Sequence, residues 1–469
     1  MIFLKIVIVV SSVKQFKYMQ INKVKRLTKI ISSIGPATDG INYFKVFNKG
    51  DGANFFRYNF SHDRSDIQGA RLKEACKQEK ESGLRVSKFA DMQGPKHRIG
   101  LFKDGKAFIE EGQKFILDLS DELGDNTRVK LPHPEIFSSL IKGAIVLIND
   151  GQLKLEVVKP GDEKIETKVL VGGKISDKKG FNIPNVLIKS SCITEKDKID
   201  IEDALNVGFK IIVISFVQTP EDILEAKKII NNRAKIISKL EKPMVMQHLE
   251  KIIELSDGIM IGRGDFAVEA SYEIVPVYER KIIEECNKQN KPVIVATQML
   301  ETMIENPFPT RAEISDIATA CYNCADCVML SAETTVGKNP ELVIDIMSRV
   351  LKTVEAEENR SILDKYIDFN KQFTNINSKL YNEVLHAVED GAKALYLIEP
   401  NIEVVGQISK MRLRIPFFPF FKDEQLEQIC RLYYGCDPVL IENKISDEEI
   451  KKYIAKRQEI TEKEVYKIN

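Results

Sequence analysis

Eight times along this chain a short apolar, β-branched run ends in polar or charged residues. The runs span 28–34, 53–61, 86–91, 210–216, 235–241, 257–265, 292–298 and 327–333. Helical patterns separate most of them. Those at 220–231 and 276–289 each open on a proline, which fits the first turn of a helix because that turn leaves its amides unpaired. Strand–helix alternation repeated this often predicts a (β/α)8 TIM barrel. Most of the runs carry their polar residues at the C-terminal end, where such barrels place their chemistry. A doubly wound sheet is the competing fold. It would use only the strand ends beside its switch point, and fits less well.

Two segments fall outside the alternation. Residues 96–193 hold short alternating strands near 144–149 and 153–158, with turn signals at Asn149-Asp150-Gly151 and Pro160-Gly161-Asp162. They predict a small β-barrel domain inserted into a barrel loop and able to act as a lid. Residues 357–469 predict a separate C-terminal α/β domain with a helical pattern at 382–391 and a strand at 392–397. The tail beyond Ser446 reads as helix-like and rich in Lys and Glu. The barrel then comprises 25–95 and 194–356, and 1–24 is an extension. A chain of 469 residues has room for several cores.

The opening residues, 1–10, are apolar with a single Lys, too short for a membrane span and poor as a signal peptide. Met19 reads as the native start. The eight cysteines are scattered, as in a reduced, cytoplasmic protein. Cys321, Cys324 and Cys327 have a cluster-like spacing, but the run lacks its completion and reads as packing. Lys+Arg and Asp+Glu both number 69, so there is no overall basic field for nucleic acid or anionic lipid.

The chemistry concentrates in two neighbouring runs, Ser238-Lys239-Leu240-Glu241 and Gly262-Arg263-Gly264-Asp265. Lys239 and Glu241 are two apart in a strand and share a face. Asp265 is expected to close the next strand in the same way. Glu241 and Asp265 are hard oxygen ligands without His or Cys, which suits Mg2+ or Mn2+ rather than zinc. Lys239 and Arg57 supply positive charge of the kind that phosphoryl transfer requires. Gly264 permits close backbone approach to a substrate carboxylate. Thr297 is placed to bind that carboxylate or relay a proton.

The matching stretches run in order along the chain: Ile34-Gly35-Pro36-Ala37-Thr38, Arg57-Tyr58-Asn59-Phe60-Ser61-His62, Asp91-Met92-Gln93-Gly94-Pro95-Lys96 and Lys178-Lys179-Gly180-Phe181. They continue with Thr194-Glu195-Lys196-Asp197, the Lys239–Glu241 and Gly262–Asp265 segments, Ala296-Thr297-Gln298-Met299 and Leu330-Ser331-Ala332-Glu333-Thr334. In these the chain resembles the pyruvate kinase family over roughly 25–440. The resemblance implies transfer of a phosphoryl group from phosphoenolpyruvate to ADP, giving pyruvate and ATP. It implies that Arg57 and Lys239 hold the phosphoryl group and that Glu241 and Asp265 hold the divalent metal. Gly264, Asp265 and Thr297 would bind the carboxylate side of the substrate. His62, Arg98 and Lys179 match nucleotide-side positions, and Ser331 and Glu333 would line the mouth and support a proton relay. It also implies a homotetramer.

The chain departs from the family pattern in two places. Of the usual K+ ligands Asn59, Ser61 and Asp91 remain, but Met92 stands at the threonine position and Lys96 at that of a nearby glutamate. A fixed ammonium at Lys96 replaces a monovalent ion electrostatically, so K+ is expected to be dispensable. In the C-terminal part, Glu399-Pro400-Asn401 stands where sugar-phosphate-activated members have a hydroxyl-rich phosphate loop, so such activation is expected to be weak or absent. The rival readings are another phosphoenolpyruvate/pyruvate-type metal-dependent barrel enzyme and a catalytically impaired paralogue with a binding role.

Overall fold

The computed structural model describes residues 25–43, 52–61, 63, 65–184, 186, 188, 191–357 and 377–468. The reading of Met19 as a start, and His62, lie outside the described residues. Eight parallel strands close into a barrel: β1 (Lys29–Ile34), β2 (Phe55–Asn59), β3 (Ser87–Asp91) and, after a long interruption, five more. The interruption holds β4 (Lys106–Ile109), β5 (Lys114–Asp118), β6 (Arg128–Lys130), β7 (Ile145–Ile148), β8 (Leu153–Lys159), β9 (Lys164–Val171), β10 (Gly173–Ser176) and β11 (Phe181–Asn182). The barrel resumes with β12 (Ile211–Ile214), β13 (Lys235–Leu240), β14 (Gly258–Gly262), β15 (Val293–Ala296) and β16 (Cys327–Leu330). Its order is β1-β16-β15-β14-β13-β12-β3-β2, so β12 pairs with β3 directly across the insertion.

Each barrel strand is shorter than the run that announces it. In β12 to β16 the polar ends of the runs have left the ladder and form the rim, whereas Asp91 still closes β3 within it. Asp265 shows the difference: β14 stops at Gly262, and Arg263–Ala270 is a helix, so Asp265 sits in a helical first turn and not at a strand end. Acidic residues are favourable there because the first helical amides point at them.

The inserted strands form a six-stranded mixed half-barrel sheet, β11-β7-β8-β9-β5-β6, with β10 and β4 as a separate antiparallel ribbon. The β7–β8 hairpin turns through Asn149, Asp150 and Gly151, all with positive φ, as the Asn-Asp-Gly sequence predicts. The chain enters and leaves this unit through two paired segments. Ile99 N–H donates to Lys179 O at 3.0 Å and Phe181 N–H to His97 O at 3.0 Å. Asn182 Nδ2 donates to Glu269 Oε1 at 2.8 Å, which ties the insertion to the helix after β14.

The C-terminal unit is a parallel sheet of β17 (Ala394–Ile398), β18 (Phe417–Phe421), β19 (Val439–Leu440) and β20 (Val465–Lys467), ordered β19-β18-β17-β20. The tail therefore does not end as helix alone. The helix Asp447–Gln458 is followed by β20, which adds an edge strand to β17. Asp326, immediately before β16, accepts from Lys410 Nζ at 2.5 Å, and Arg412 lies 3.1 Å away; all three are buried. Cys327 Sγ donates to Leu432 O at 3.1 Å, and Cys321 and Cys324 are buried in the same region. Among the described residues no helix is long and apolar enough to cross a membrane.

Candidate active site

Arg57 on β2, Asp91 at the end of β3, and Lys239 and Glu241 at the end of β13 converge on the C-terminal rim of the barrel. Asp91 is the hub. Its Oδ2 accepts from Arg57 Nε at 2.7 Å, and its Oδ1 lies 3.3 Å from Lys239 Nζ. Arg57 also donates from its Nη1 to Ser33 Oγ at 3.0 Å. Burial by itself favours protonation of Asp91, but Lys239 and Arg57 more than offset it and hold the carboxyl below its ordinary value. Burial likewise opposes charge on Lys239, and the carboxylates of Asp91 and Glu241 reverse that and raise its pKa.

Glu241 is served less well. Its Oε1 is 3.4 Å from Lys239 Nζ, and its Oε2 accepts one backbone amide, from Phe216 at 3.2 Å. Burial pushes its pKa up to about 8; Lys239 pulls the other way, and Asp265 and Asp91 add like-charge repulsion. The residue facing it has to be glycine. A Cβ at Gly262 would lie 2.6 Å from Glu241 Cγ and 2.8 Å from Oε1. A buried carboxylate with one amide, one distant ammonium and a second carboxylate nearby suits a hard cation. Glu241 and Asp265 supply the oxygen donors that Mg2+ or Mn2+ prefers.

Around this corner the backbone is strained at non-glycine positions. Phe216 (φ 56°), Thr297 (φ 70°) and Gln298 (φ 57°) all lie in the left-handed region just beyond β12 and β15. Such conformations concentrate at functional rims, where the surrounding structure enforces them. Thr297 Oγ1 donates to Ala296 O at 2.6 Å and accepts the Gly264 amide at 2.9 Å, so Gly264 and Thr297 meet at one point.

Two sequence expectations change in detail, and one residue beside the site takes a structural role. Arg263, beside the site in sequence, turns away from it. It is buried, 2.8 Å from Asp316 and 3.4 Å from Glu279, and it donates to the carbonyls of Ala296 and Thr297. Its work is to fix the Thr297 turn. Glu333 does not line the mouth. It is 1% exposed and accepts the amides of Leu300 and Ser331 at 3.3 and 2.6 Å. Ser331 Oγ has no hydrogen-bond partner among the described residues. Lys96 reaches Asp265 Oδ1 at 3.6 Å rather than the Asn59, Ser61 and Asp91 group. Asn59 instead accepts the Ser61 amide at 3.1 Å.

Arg98 and Lys179 lie on the paired segments at the base of the insertion, and Arg98 Nη1 donates to Lys178 O at 2.9 Å. Sequence reasoning passed over Ser33, Phe216 and Ser215, whose Oγ donates to Met92 O at 2.6 Å. Their only signal is position at a strand end.

A family model described as pyruvate kinase, barrel domain, matches residues 25–344. A pyruvate kinase from Methylorubrum extorquens is 44% identical over 336 residues, 71% of this chain and 70% of that protein. One from Agrobacterium vitis is 40% identical over 421 residues, 87% of this chain and 86% of its own length. The crystal structure of a pyruvate kinase from Cryptosporidium parvum superposes with a TM-score of 0.88 at 28% identity, covering 94% of this chain and 92% of that one. The chain belongs to the pyruvate kinase family and is a phosphotransferase.

Proposed function

We propose that the chain transfers the phosphoryl group of phosphoenolpyruvate to ADP at the β3–β13–β14 corner of the barrel. The observation that carries this reading is the alternating row Arg57, Asp91, Lys239, Glu241, in which a charged ammonium is held between two buried carboxylates. Lys239 and Arg57 stabilise the charge that spreads over the phosphoryl oxygens in the transition state. Asp91 positions both. Glu241 and Asp265 would hold a divalent ion, which when bound would add positive charge to stabilise the substrate oxygens. The substrate carboxylate is held at Gly264 and Thr297, against the first turn of the helix Arg263–Ala270, whose amides favour an anion. Thr297 and Ser331 carry the hydroxyls nearest to a proton-relay role for the enolate, and Glu333 positions Ser331 through its amide. Arg98 and Lys179 take the nucleotide side, and the insertion closes over it as a lid. His62 is assigned there on sequence alone.

Lys96 brings its ammonium from the Asp265 side, so the enzyme works without K+. Because Lys239 and Arg57 already occupy Asp91, the remaining Asn59, Ser61 and Asp91 act as a vestigial K+ site. The enzyme acts in the cytoplasm as a homo-oligomer, a tetramer by analogy with the family.

A steady-state assay of pyruvate formation from phosphoenolpyruvate, with and without ADP and with K+ replaced by a bulky organic cation, tests these statements together. ADP-dependent pyruvate formation with K+ indifference is expected. Product without ADP favours another phosphoenolpyruvate/pyruvate-type metal-dependent barrel enzyme, no product favours an impaired paralogue, and a strong K+ requirement removes Lys96 from its role.

A further inference from the structure

The chain has five histidines, and two of them touch. His97 and His133 meet edge to face with ring centroids 4.7 Å apart, and Glu135 faces both. Glu135 Oε1 is 3.5 Å from His97 Nε2 and 3.5 Å from His133 Nδ1. One ligand atom from each residue lies within 4.8 Å of the others. Nothing in the phosphoryl-transfer reading uses these side chains.

Those separations have a meaning. Zinc binds imidazole nitrogen and carboxylate oxygen at about 2.0–2.2 Å in a tetrahedron, which sets neighbouring ligand atoms roughly 3.3–3.5 Å apart. The two carboxylate–imidazole distances equal that edge. They are long for a direct hydrogen bond between the same atoms. We propose that His97, His133 and Glu135 bind a divalent transition-metal ion of the zinc class, with the fourth position left to water.

The surroundings suit it. His133 Nε2 lies 3.2 Å from Arg98 O and 3.1 Å from Arg98 N, so the ring serves either as donor or as acceptor on that side. In the donor tautomer Nε2–H binds the carbonyl and leaves the Nδ1 lone pair facing Glu135. This is the backbone-oriented arrangement found behind metal-binding histidines. Both rings are held neutral. Burial pushes His97 down to about 3, with His133 and Lys242 acting the same way, and burial lowers His133 against the opposing pull of Glu135. The nearby ammonium of Lys242 has its own carboxylate in Glu269, 3.8 Å away.

The site sits where the inserted domain joins the barrel. His97 follows Lys96 on the outgoing segment, and its carbonyl accepts the Phe181 amide of the returning one. His133 precedes the helix Pro134–Phe137, which carries Glu135. A bound ion therefore fastens the outgoing segment to the body of the insertion, next to Arg98 and Lys179. Mg2+ is a poor occupant because it favours six oxygen ligands, and this set is mostly nitrogen.

Full-length protein, stripped with chelator, is titrated with Co2+ in the presence of excess Mg2+, and the visible spectrum is recorded. One equivalent giving the strong absorption of four-coordinate cobalt, displaced by Zn2+, is expected. Glu135→Gln and His97→Gln should each raise the dissociation constant more than about tenfold, the effect already common for losing an outer-shell partner. His97 is buried, whereas Glu135 is partly exposed, so Glu135→Gln carries the test if His97→Gln fails to fold. Zn2+ should raise the Tm of the parent protein and of Glu241→Gln, but not that of Glu135→Gln. A cobalt spectrum or zinc-induced Tm shift unchanged in Glu135→Gln, or lost in Glu241→Gln, overturns the proposal. These readouts are independent of catalytic turnover.

Discussion

The same barrel holds a buried charge cluster at each end, and the two are built to opposite specifications. At the N-terminal end Asp326 is saturated. Its Oδ2 takes Lys410 Nζ at 2.5 Å and the Val293 amide at 2.9 Å, and its Oδ1 takes the Tyr434 amide at 3.2 Å beside Arg412. At the C-terminal rim Glu241 has one amide and one ammonium at 3.4 Å. The saturated cluster leaves nothing for a ligand and fastens the C-terminal sheet to the barrel. The undersupplied one has spare oxygen ligands and a nearby like charge, which is the condition for recruiting a cation. Burial and charge alone do not mark a site; incomplete satisfaction does.

The sharpest way to break this contrast is Lys239→Met. If the rim works through electrostatics, turnover should fall on the order of 10³-fold or more, because the group that faces the transferring charge is gone. The urea midpoint should move much less, and Mg2+ binding should persist. Near-normal turnover removes Lys239 from the mechanism.

The mirror-image substitution is Asp326→Ala. It removes the buried carboxylate that Lys410 and Arg412 share. Breaking a buried ion pair by deleting one partner typically costs about 3–5 kcal/mol. Urea denaturation should show that loss, while KM and kcat of the folded fraction stay near the parent values. A large fall in kcat at unchanged stability would mean that the two ends are not functionally separate.

How the two ends could be read from sequence differs in the same way. The barrel was legible because β-branched runs ending in charge recur, and Lys239 and Glu241 came with it by strand alternation. Asp265 departs locally from the strand-end expectation. Gly262-Arg263-Gly264-Asp265 continues a strand in pattern, yet the ladder ends at Gly262 and a helix starts, turning Arg263 into the wall. Nothing local says that Glu333 turns inward to two amides, since its partner Leu300 lies on another loop. The edge strand β20 is three residues long, too short to give a period. Nothing in the local sequence marks Lys410 and Arg412, which are buried where the C-terminal sheet docks. His97 and His133 are 36 residues apart in sequence, and only the fold of the insertion joins them.

Glu241 at the rim and Asp326 at the other end should also respond to pH with opposite signs. Glu241, without metal, has its folded pKa raised from 4.5 to about 8. The folded state then holds a proton that the unfolded state has released, so stability declines as pH rises above about 4.5 and the contribution is lost through pH 8. Asp326 is lowered from 3.8, despite burial, by Lys410 and Arg412. Its contribution is present above that value and is lost as pH falls below it. Asp91, lowered by Lys239 and Arg57, shares the acid sign. Thermal unfolding of metal-free protein across this range should show a decline towards alkaline pH that Glu241→Gln removes and Mg2+ reduces. The decline at acid pH should survive both. An alkaline limb unchanged in Glu241→Gln would place its origin elsewhere.

The smallest expected effect concerns the loop after β17, where a carboxylate-rich surface meets a helix start. Glu399 has φ 49°, Pro400 follows, and Asn401 caps the helix Ile402–Lys410 by accepting the Val404 amide at 2.8 Å. That cap uses an amide that a phosphate would otherwise take. A cavity of about 330 Å³ beside it is lined by Glu383 and Glu403 as well as Lys379. Two carboxylates against one ammonium repel a sugar bisphosphate. Adding fructose bisphosphate should therefore shift half-saturation by phosphoenolpyruvate by much less than the roughly fivefold at the low end of allosteric coupling. A larger shift would show that the C-terminal sheet, through the Asp326 clasp, does send a signal to the rim, and the two ends of the barrel would have to be treated as one device.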